Sequence, residues 1–319
     1  MKISILGTGA YGMALASIFY NNGHYIKMWT NSNDEKDMLL KLGHSDKVDF
    51  NIPKDILIST NIEEVINNTN LIVLAIPSKF IENTLTEVKK YYNNQVICIS
   101  SKGIREGGTM IYDIVKNILN TDLISVISGG TFAVDMVYKV PIGLTIASHS
   151  DTAIKMTYNS LRCDYVKMDT TEDVIGTEIC GSIKNVFAIL MGIIDGMKYP
   201  ISTTSLFFVD TVNSIKEIIT KLGGNTNTIF TYAGIGDIFL TCTSSKSRNY
   251  TLGKMIGMNK DRNEIDTYIN NNTLEGLEAL KSLVGIIDKY NIDMKVVKLL
   301  DDVIYCRRST HEIVENIND

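Results

Sequence analysis

Six residues near the start of the chain, Gly7-Thr8-Gly9-Ala10-Tyr11-Gly12, stand between an apolar run ending at Leu6 and a helix-compatible run from Met13 to Phe19. Glycines at this spacing have separate tasks. Gly7 permits a tight turn, Gly9 lets a pyrophosphate approach the backbone, and Gly12 lets the following helix pack closely on the strand. The helix N-terminus offers unsatisfied N–H groups and the positive end of its dipole, which suits phosphate. Many folds contain such glycines, and the position between a strand and a helix makes this one a dinucleotide-binding signature. The nicotinamide dinucleotides are usually told apart at the end of the second strand, where an acid holds the ribose hydroxyls or an arginine takes the extra phosphate. Here that position reads Trp29-Thr30-Asn31-Ser32, with neither, so the choice between NAD and NADP stays open. Asp34, Glu35 and Lys36 follow and read as solvated charges.

A turn of this kind needs a parallel sheet behind it. Short β-branched runs at Ile3–Leu6, Tyr25–Trp29, Ile56–Ser59, Leu71–Ile76, Val96–Ile99 and Ile124–Ile127 alternate with amphipathic stretches, the rhythm of strands joined by crossover helices. Continuous apolar runs such as Leu71-Ile72-Val73-Leu74-Ala75-Ile76 suit strands buried on both faces. Beyond about residue 172 the periodicity becomes helical, over Ile179 to Met197, Leu206 to Leu222, Leu274 to Tyr290 and Val296 to Cys306. The predicted fold is therefore an α/β, Rossmann-like doubly wound sheet over residues 1–178, followed by an all-α domain over residues 179–319, with the boundary inside a helix near Glu178. A length of 319 residues agrees with two domains.

Composition narrows the function classes. With 45% hydrophobic and 21% charged residues the chain can bury a core, which excludes disorder. A net charge of -5 provides no global attraction for nucleic acid, so an anionic ligand must be met by local cations. Cys98, Cys163, Cys180, Cys242 and Cys306 form no C-x-x-C pair and are expected to be free thiols. His24, His44, His149 and His311 have no metal-ligand spacing, so no metal is expected. The longest apolar stretch, Val186 to Ile194, reads as too short for a membrane span, and the N-terminus lacks a signal-peptide pattern. The expectation is a cytoplasmic protein.

Three further segments carry a resemblance. They are Ser100-Ser101-Lys102-Gly103-Ile104, then Glu178-Ile179-Cys180-Gly181-Ser182-Ile183-Lys184-Asn185-Val186, and Gly234-Ile235-Gly236-Asp237 continuing through Thr241-Cys242-Thr243-Ser244 to Ser247-Arg248-Asn249. With the glycine turn and Ala75-Ile76-Pro77-Ser78, the chain resembles the bacterial NAD(P)-dependent glycerol-3-phosphate dehydrogenase family over almost its whole length. The resemblance implies reversible reduction of dihydroxyacetone phosphate, a small phosphorylated three-carbon substrate, to sn-glycerol 3-phosphate for phospholipid synthesis. It places Lys184 at the general base and Lys102 at a lysine touching cofactor and substrate. Asp237 falls at a substrate-side carboxylate, Ser247, Arg248 and Asn249 around the glycerol phosphate, and Gly129 and Thr131 near the substrate. Ala10, Tyr11, Asn31, Ala133, Arg248 and Glu275 fall at cofactor contacts. A homodimer is left open.

The chain also departs from that family. Gly130 stands where a proline is usual, Val209-Asp210-Thr211 replaces a threonine-arginine-glycine step, and Asn31 takes the place of an arginine. A dehydrogenase of another small phosphorylated alcohol and a non-catalytic dinucleotide sensor are therefore the competing readings. The residue chemistry favours catalysis. Oxidising a secondary alcohol needs a base for the hydroxyl proton while hydride leaves the same carbon. An unperturbed lysine is a poor base at neutral pH, but desolvation and a neighbouring cation such as Lys102 would lower its pKa, while Asp237 would raise it and fix its direction. Taken alone, Lys184 would read as a snorkelling surface lysine and Asp237 as the cap of a helix at Ile238.

Overall fold

The computed structural model describes residues 1–305 and 307–315, and only the backbone of Glu106. Cys306 lies outside the described residues. By internal contacts the chain forms two units, Met1–Lys102 with Ile111–Thr177, and Gly103–Met110 with Glu178–Asp319.

The first unit is built on strands β1 (Lys2–Leu6), β2 (Tyr25–Trp29), β3 (His44–Ser45), β4 (Phe50–Asn51) and β5 (Leu57–Ser59). These are followed by β6 (Leu71–Leu74), β7 (Val96–Ile99), β8 (Ile124–Ser128), β9 (Ile142–Ala147) and β10 (Val166–Thr171). Eight of them form one sheet in the order β10-β9-β8-β7-β6-β1-β2-β5, while β3 and β4 pair as a small hairpin. The order reverses between β1 and β6, and from β5 to β8 every neighbour is parallel. That is the doubly wound arrangement, whose ligands bind beyond the carboxyl ends of the strands at the reversal. The helices are α1 (Ala10–Asn21), α2 (Asn33–Leu42), α3 (Ile62–Ile66), α4 (Ile81–Lys89), α5 (Ile111–Leu119), α6 (Ala133–Val137) and α7 (Asp151–Leu161).

The unbroken apolar strands divide their side chains between two cores. Leu71, Val73, Val96 and Cys98 belong to one cluster, with Phe19 of α1, and Ile72, Leu74, Ile97 and Ile99 to another, with Leu85 of α4. Period-two alternation in a sheet covered on both faces requires this. β9 and β10 were not foreseen in the sequence, and β9 runs antiparallel to β8. Local propensity marks a strand but not its direction, which is set by where the connection through α6 re-enters the sheet.

The second unit is helical. Its elements are α8 (Val174–Gly196), which spans the division between the units, then α9 (Ile201–Lys221), α10 (Asp237–Thr243) and α11 (Arg248–Gly257). These continue into α12 (Arg262–Asn271), α13 (Glu275–Tyr290), α14 (Lys295–Ile304) and α15 (Glu312–Glu315). Residues 103–110, placed in the first domain by sequence, group with this unit. A short turn there lies on α13, where Lys289 Nζ donates to the Gly107 carbonyl at 3.1 Å. By length and composition α8 could cross a membrane, contrary to the expectation from sequence, but 94% of its most apolar window is buried and it serves as the core helix.

The α8–α11 crossing brings the two backbones into contact. A Cβ on Gly192 would strike the Tyr250 carbonyl oxygen, and one on Gly253 would strike that of Ile189. Gly196 and Gly257 repeat the relation one turn further along. The helix that carries Ile183-Lys184-Asn185 is thereby held against α11. Gly253→Ala is expected to cost about 1–3 kcal/mol through overpacking. Gly285→Ala, whose Cβ meets nothing within 4 Å, should gain about 0.5–1 kcal/mol. Denaturant midpoints of the two variants check the opposite signs.

Candidate active site

In the first unit the glycine turn lies directly beyond β1. Gly7 has φ +123°, and a Cβ there would strike the Ala75 carbonyl oxygen beyond β6, so only glycine fits. A Cβ on Gly12 would meet the Gly7 carbonyl oxygen, which seats α1 tightly on the turn. Gly9 differs. It is the N-cap of α1, no side chain caps it, no acid stands in the first turn, and a Cβ there would meet nothing within 4 Å. The space in front of the first-turn N–H groups is thus kept clear by the absence of a side chain, which fits a bound pyrophosphate.

The same edge of the sheet carries the other residues of this unit expected from sequence. Asn31 follows β2 and is exposed, and half-buried Lys102 follows β7. Ser100 Oγ and Ser101 Oγ bind the Leu74 carbonyl at 2.7 and 3.1 Å, and Ser101 Oγ also binds that of Ile76, so the loop before Lys102 is stapled to β6. Gly129 follows β8, where a Cβ would strike the Gly143 carbonyl oxygen, a structural demand independent of any substrate. Thr131 Oγ1 donates to the Phe132 carbonyl at 3.1 Å, and Ala133 opens α6. Ala10 and Tyr11 form the first turn of α1.

In the second unit Lys184 projects from α8 and is only 7% exposed. Its Nζ pairs with Asp237 Oδ1 and donates to Thr241 Oγ1 at 2.8 Å. Asp237, fully buried, opens α10 after an irregular turn over Tyr232–Gly236, and Thr241 stands one helical turn later. The Asp237 side chain is not a helix cap but the counter-charge of a buried ammonium. Burial favours the neutral amine and the carboxylate favours the charged one, and the pairing makes the buried charge tenable. Cys242, next along α10, has its thiol pushed up to about 12 by burial, so it remains protonated beside the pair.

A second junction lies one residue further along α8. Asn185 Nδ2 donates to Glu275 Oε2 at 3.3 Å, and Asn249 Oδ1 accepts from the Gly276 N–H at 3.1 Å. A Cβ on Gly276 would lie 2.6 Å from Asn249 Oδ1 and 2.7 Å from the Asn185 carbonyl oxygen, so α8, α11 and α13 meet here. Ser247 caps α11, accepting from the Tyr250 N–H at 3.3 Å, and Arg248 is exposed at the start of that helix. Thr241 and Asn185 stand within the segments that carry the resemblance, which implies no role for either. The four-residue spacing from Asp237 to Thr241 was a readable signal, whereas the Asn185–Glu275 contact had none. Among the described residues no group of three or more His, Cys, Asp or Glu could hold a metal ion.

Comparison with known proteins bears on this arrangement. A family model described as the N-terminus of NAD-dependent glycerol-3-phosphate dehydrogenase matches residues 2–154, and one described as its C-terminus matches residues 173–315. The glycerol-3-phosphate dehydrogenase (NAD(P)+) of Leptospira biflexa is 30% identical, over 98% of this chain and 96% of its own length. This chain belongs to the NAD-dependent glycerol-3-phosphate dehydrogenase family. The corresponding protein of Fusobacterium nucleatum is 28% identical, over 99% of this chain and 96% of its own. In fold, the crystal structure of glycerol-3-phosphate dehydrogenase from Coxiella burnetii superposes with a TM-score of 0.93 at 24% identity, covering 100% of this chain and 98% of that one.

The buried pair yields a stability test. Asp237→Leu leaves a buried ammonium without its carboxylate, and Lys184→Met leaves the reverse. Each single variant is expected to lose about 3–5 kcal/mol, whereas the double variant should recover much of that loss. Urea unfolding of the four proteins completes the cycle.

Proposed function

We propose that this chain is an NAD(P)-dependent oxidoreductase that interconverts dihydroxyacetone phosphate and sn-glycerol 3-phosphate, with Lys184 as the general acid and base. The observation that carries this reading is a buried lysine held between Asp237 and Thr241 in a chain matched by the family along its length. In the reducing direction the Lys184 ammonium donates a proton to the carbonyl oxygen at C2 while that carbon takes hydride. In the oxidising direction the neutral amine takes the hydroxyl proton while hydride leaves C2. The bound nicotinamide supplies or accepts the hydride. Asp237 and Thr241 give the lysine two fixed partners and so set its direction, and the positive charge on Nζ also steadies the developing alkoxide.

Lys102, Gly129 and Thr131 of the first unit and Ser247, Arg248 and Asn249 of the second are assigned to the phosphorylated substrate. The planar guanidinium of Arg248 suits phosphate oxygens, and its exposure leaves it accessible to them. Gly7, Gly9, Ala10, Tyr11, Gly12, Asn31, Lys102, Ala133, Arg248 and Glu275 are assigned to the dinucleotide. The product is proposed to feed glycerophospholipid synthesis in the cytoplasm. The deciding experiment compares initial rates with dihydroxyacetone phosphate and either NADH or NADPH against rates with a panel of other phosphorylated ketones. A better substrate elsewhere in the panel would overturn the assignment.

Three variants test the roles. Lys184→Met, confirmed folded by circular dichroism and still binding NADH, should lose about 10²–10⁴-fold or more in kcat; retention within a few-fold would remove it from the chemistry. Arg248→Ala should raise KM for the substrate more than it lowers kcat. Gly9→Val should fold normally, because its Cβ enters open space, yet lose dinucleotide binding measured by calorimetry.

A further inference from the structure

Beside the glycine turn lies a pair of opposite charges that the reaction leaves unused. Glu35, in the first turn of α2, reaches back to the end of β2, where its Oε2 accepts from Thr30 Oγ1 at 2.5 Å. Its Oε1 pairs with Lys47 Nζ, which arrives from the turn between β3 and β4. Lys47 Nζ also lies 3.4 Å from the Thr8 carbonyl oxygen, inside the glycine turn. The Glu35 side chain is 19% exposed and that of Lys47 42%. Burial pushes the Glu35 carboxyl up, but hydrogen bonds from Lys47, Thr30 and Thr8 outweigh it and hold the group below its ordinary value. Glu35 is thus an anchored carboxylate at neutral pH and not the solvated charge that its position past a strand suggested.

In a doubly wound sheet the adenosine ribose of a dinucleotide lies at the end of β2 beside this turn. An acid there accepts from the free 2′-hydroxyl, and a cation takes a 2′-phosphate. Thr30-Asn31, directly after β2, carries neither charge. Glu35 and Lys47 bring both to the same place from elements that follow. We propose that the Glu35–Lys47 pair is the element that selects between NAD and NADP, with Glu35 favouring the free 2′-hydroxyl and Lys47 favouring the 2′-phosphate. While paired, the two charges offset one another and neither cofactor is strongly rejected. Removing the carboxylate releases the ammonium for phosphate, and removing the ammonium leaves a carboxylate that repels phosphate.

The proposal rests on the dinucleotide-binding reading of the first unit. Its test is the ratio of dissociation constants for NADH and NADPH, measured by calorimetry on the wild type, Glu35→Gln and Lys47→Met, with folding checked by circular dichroism. Glu35→Gln should shift the ratio towards NADPH by about tenfold or more, and Lys47→Met should shift it by a similar factor towards NADH. Opposite shifts support the pair as the selector. Ratios within about threefold of wild type, shifts of the same sign, or a shift in only one variant overturn it. Failure of the wild type to bind either dinucleotide would instead overturn the reading on which it rests.

Discussion

An ammonium group does not enter an apolar helical core unless something there compensates the loss of water. The pairing of Lys184 with Asp237 meets that condition, and much of the second unit follows from it. The carboxylate has to arrive from another element, so α10 begins at Asp237 itself, and the chain before it takes an irregular turn with Gly234 at φ -84°, ψ -115°. A Cβ on Gly234 would strike the Ile229 carbonyl oxygen, so the turn is tight against the residues before it. Thr241 then falls one turn along α10, on the face that already holds the lysine.

The same constraint bears on α8. A helix that holds a charged group among buried neighbours has to be held rigidly, and the glycine-lined crossing with α11 accomplishes this by backbone contact without long side chains. Near it Asn185 and Asn249 meet at the Gly276 junction. Residues far apart in sequence are thereby fixed on one framework, the positional precision that the proposed proton transfer by Lys184 requires.

The first unit solves a different problem. Its proposed task is to present backbone N–H groups to a polyanion, and side chains are absent at Gly7 and Gly12, where a Cβ would strike backbone, and at Gly9, where the space stays open. The Lys47 ammonium beside that turn is balanced by Glu35. The acidic whole can therefore bind an anionic cofactor through local geometry with little help from net charge.

What the sequence by itself determined is what depends on neighbours along the chain. The glycine turn, the apolar strands β1, β2, β6, β7 and β8, and the long periodic helices α8, α9, α13 and α14 are all short-range patterns, legible because side-chain period and turn chemistry act over a few residues. Lys184 and Asp237 could be singled out only through resemblance to a family, because their contact spans 53 positions. Tertiary structure alone decided the antiparallel direction of β9, the grouping of residues 103–110 with the helical unit, the roles of Thr241 and Asn185, and the anchoring of Glu35 by Lys47. In each case the deciding interaction joins elements distant in sequence, and a charge's meaning depends on its partner and its burial, neither of which is a local property of the chain.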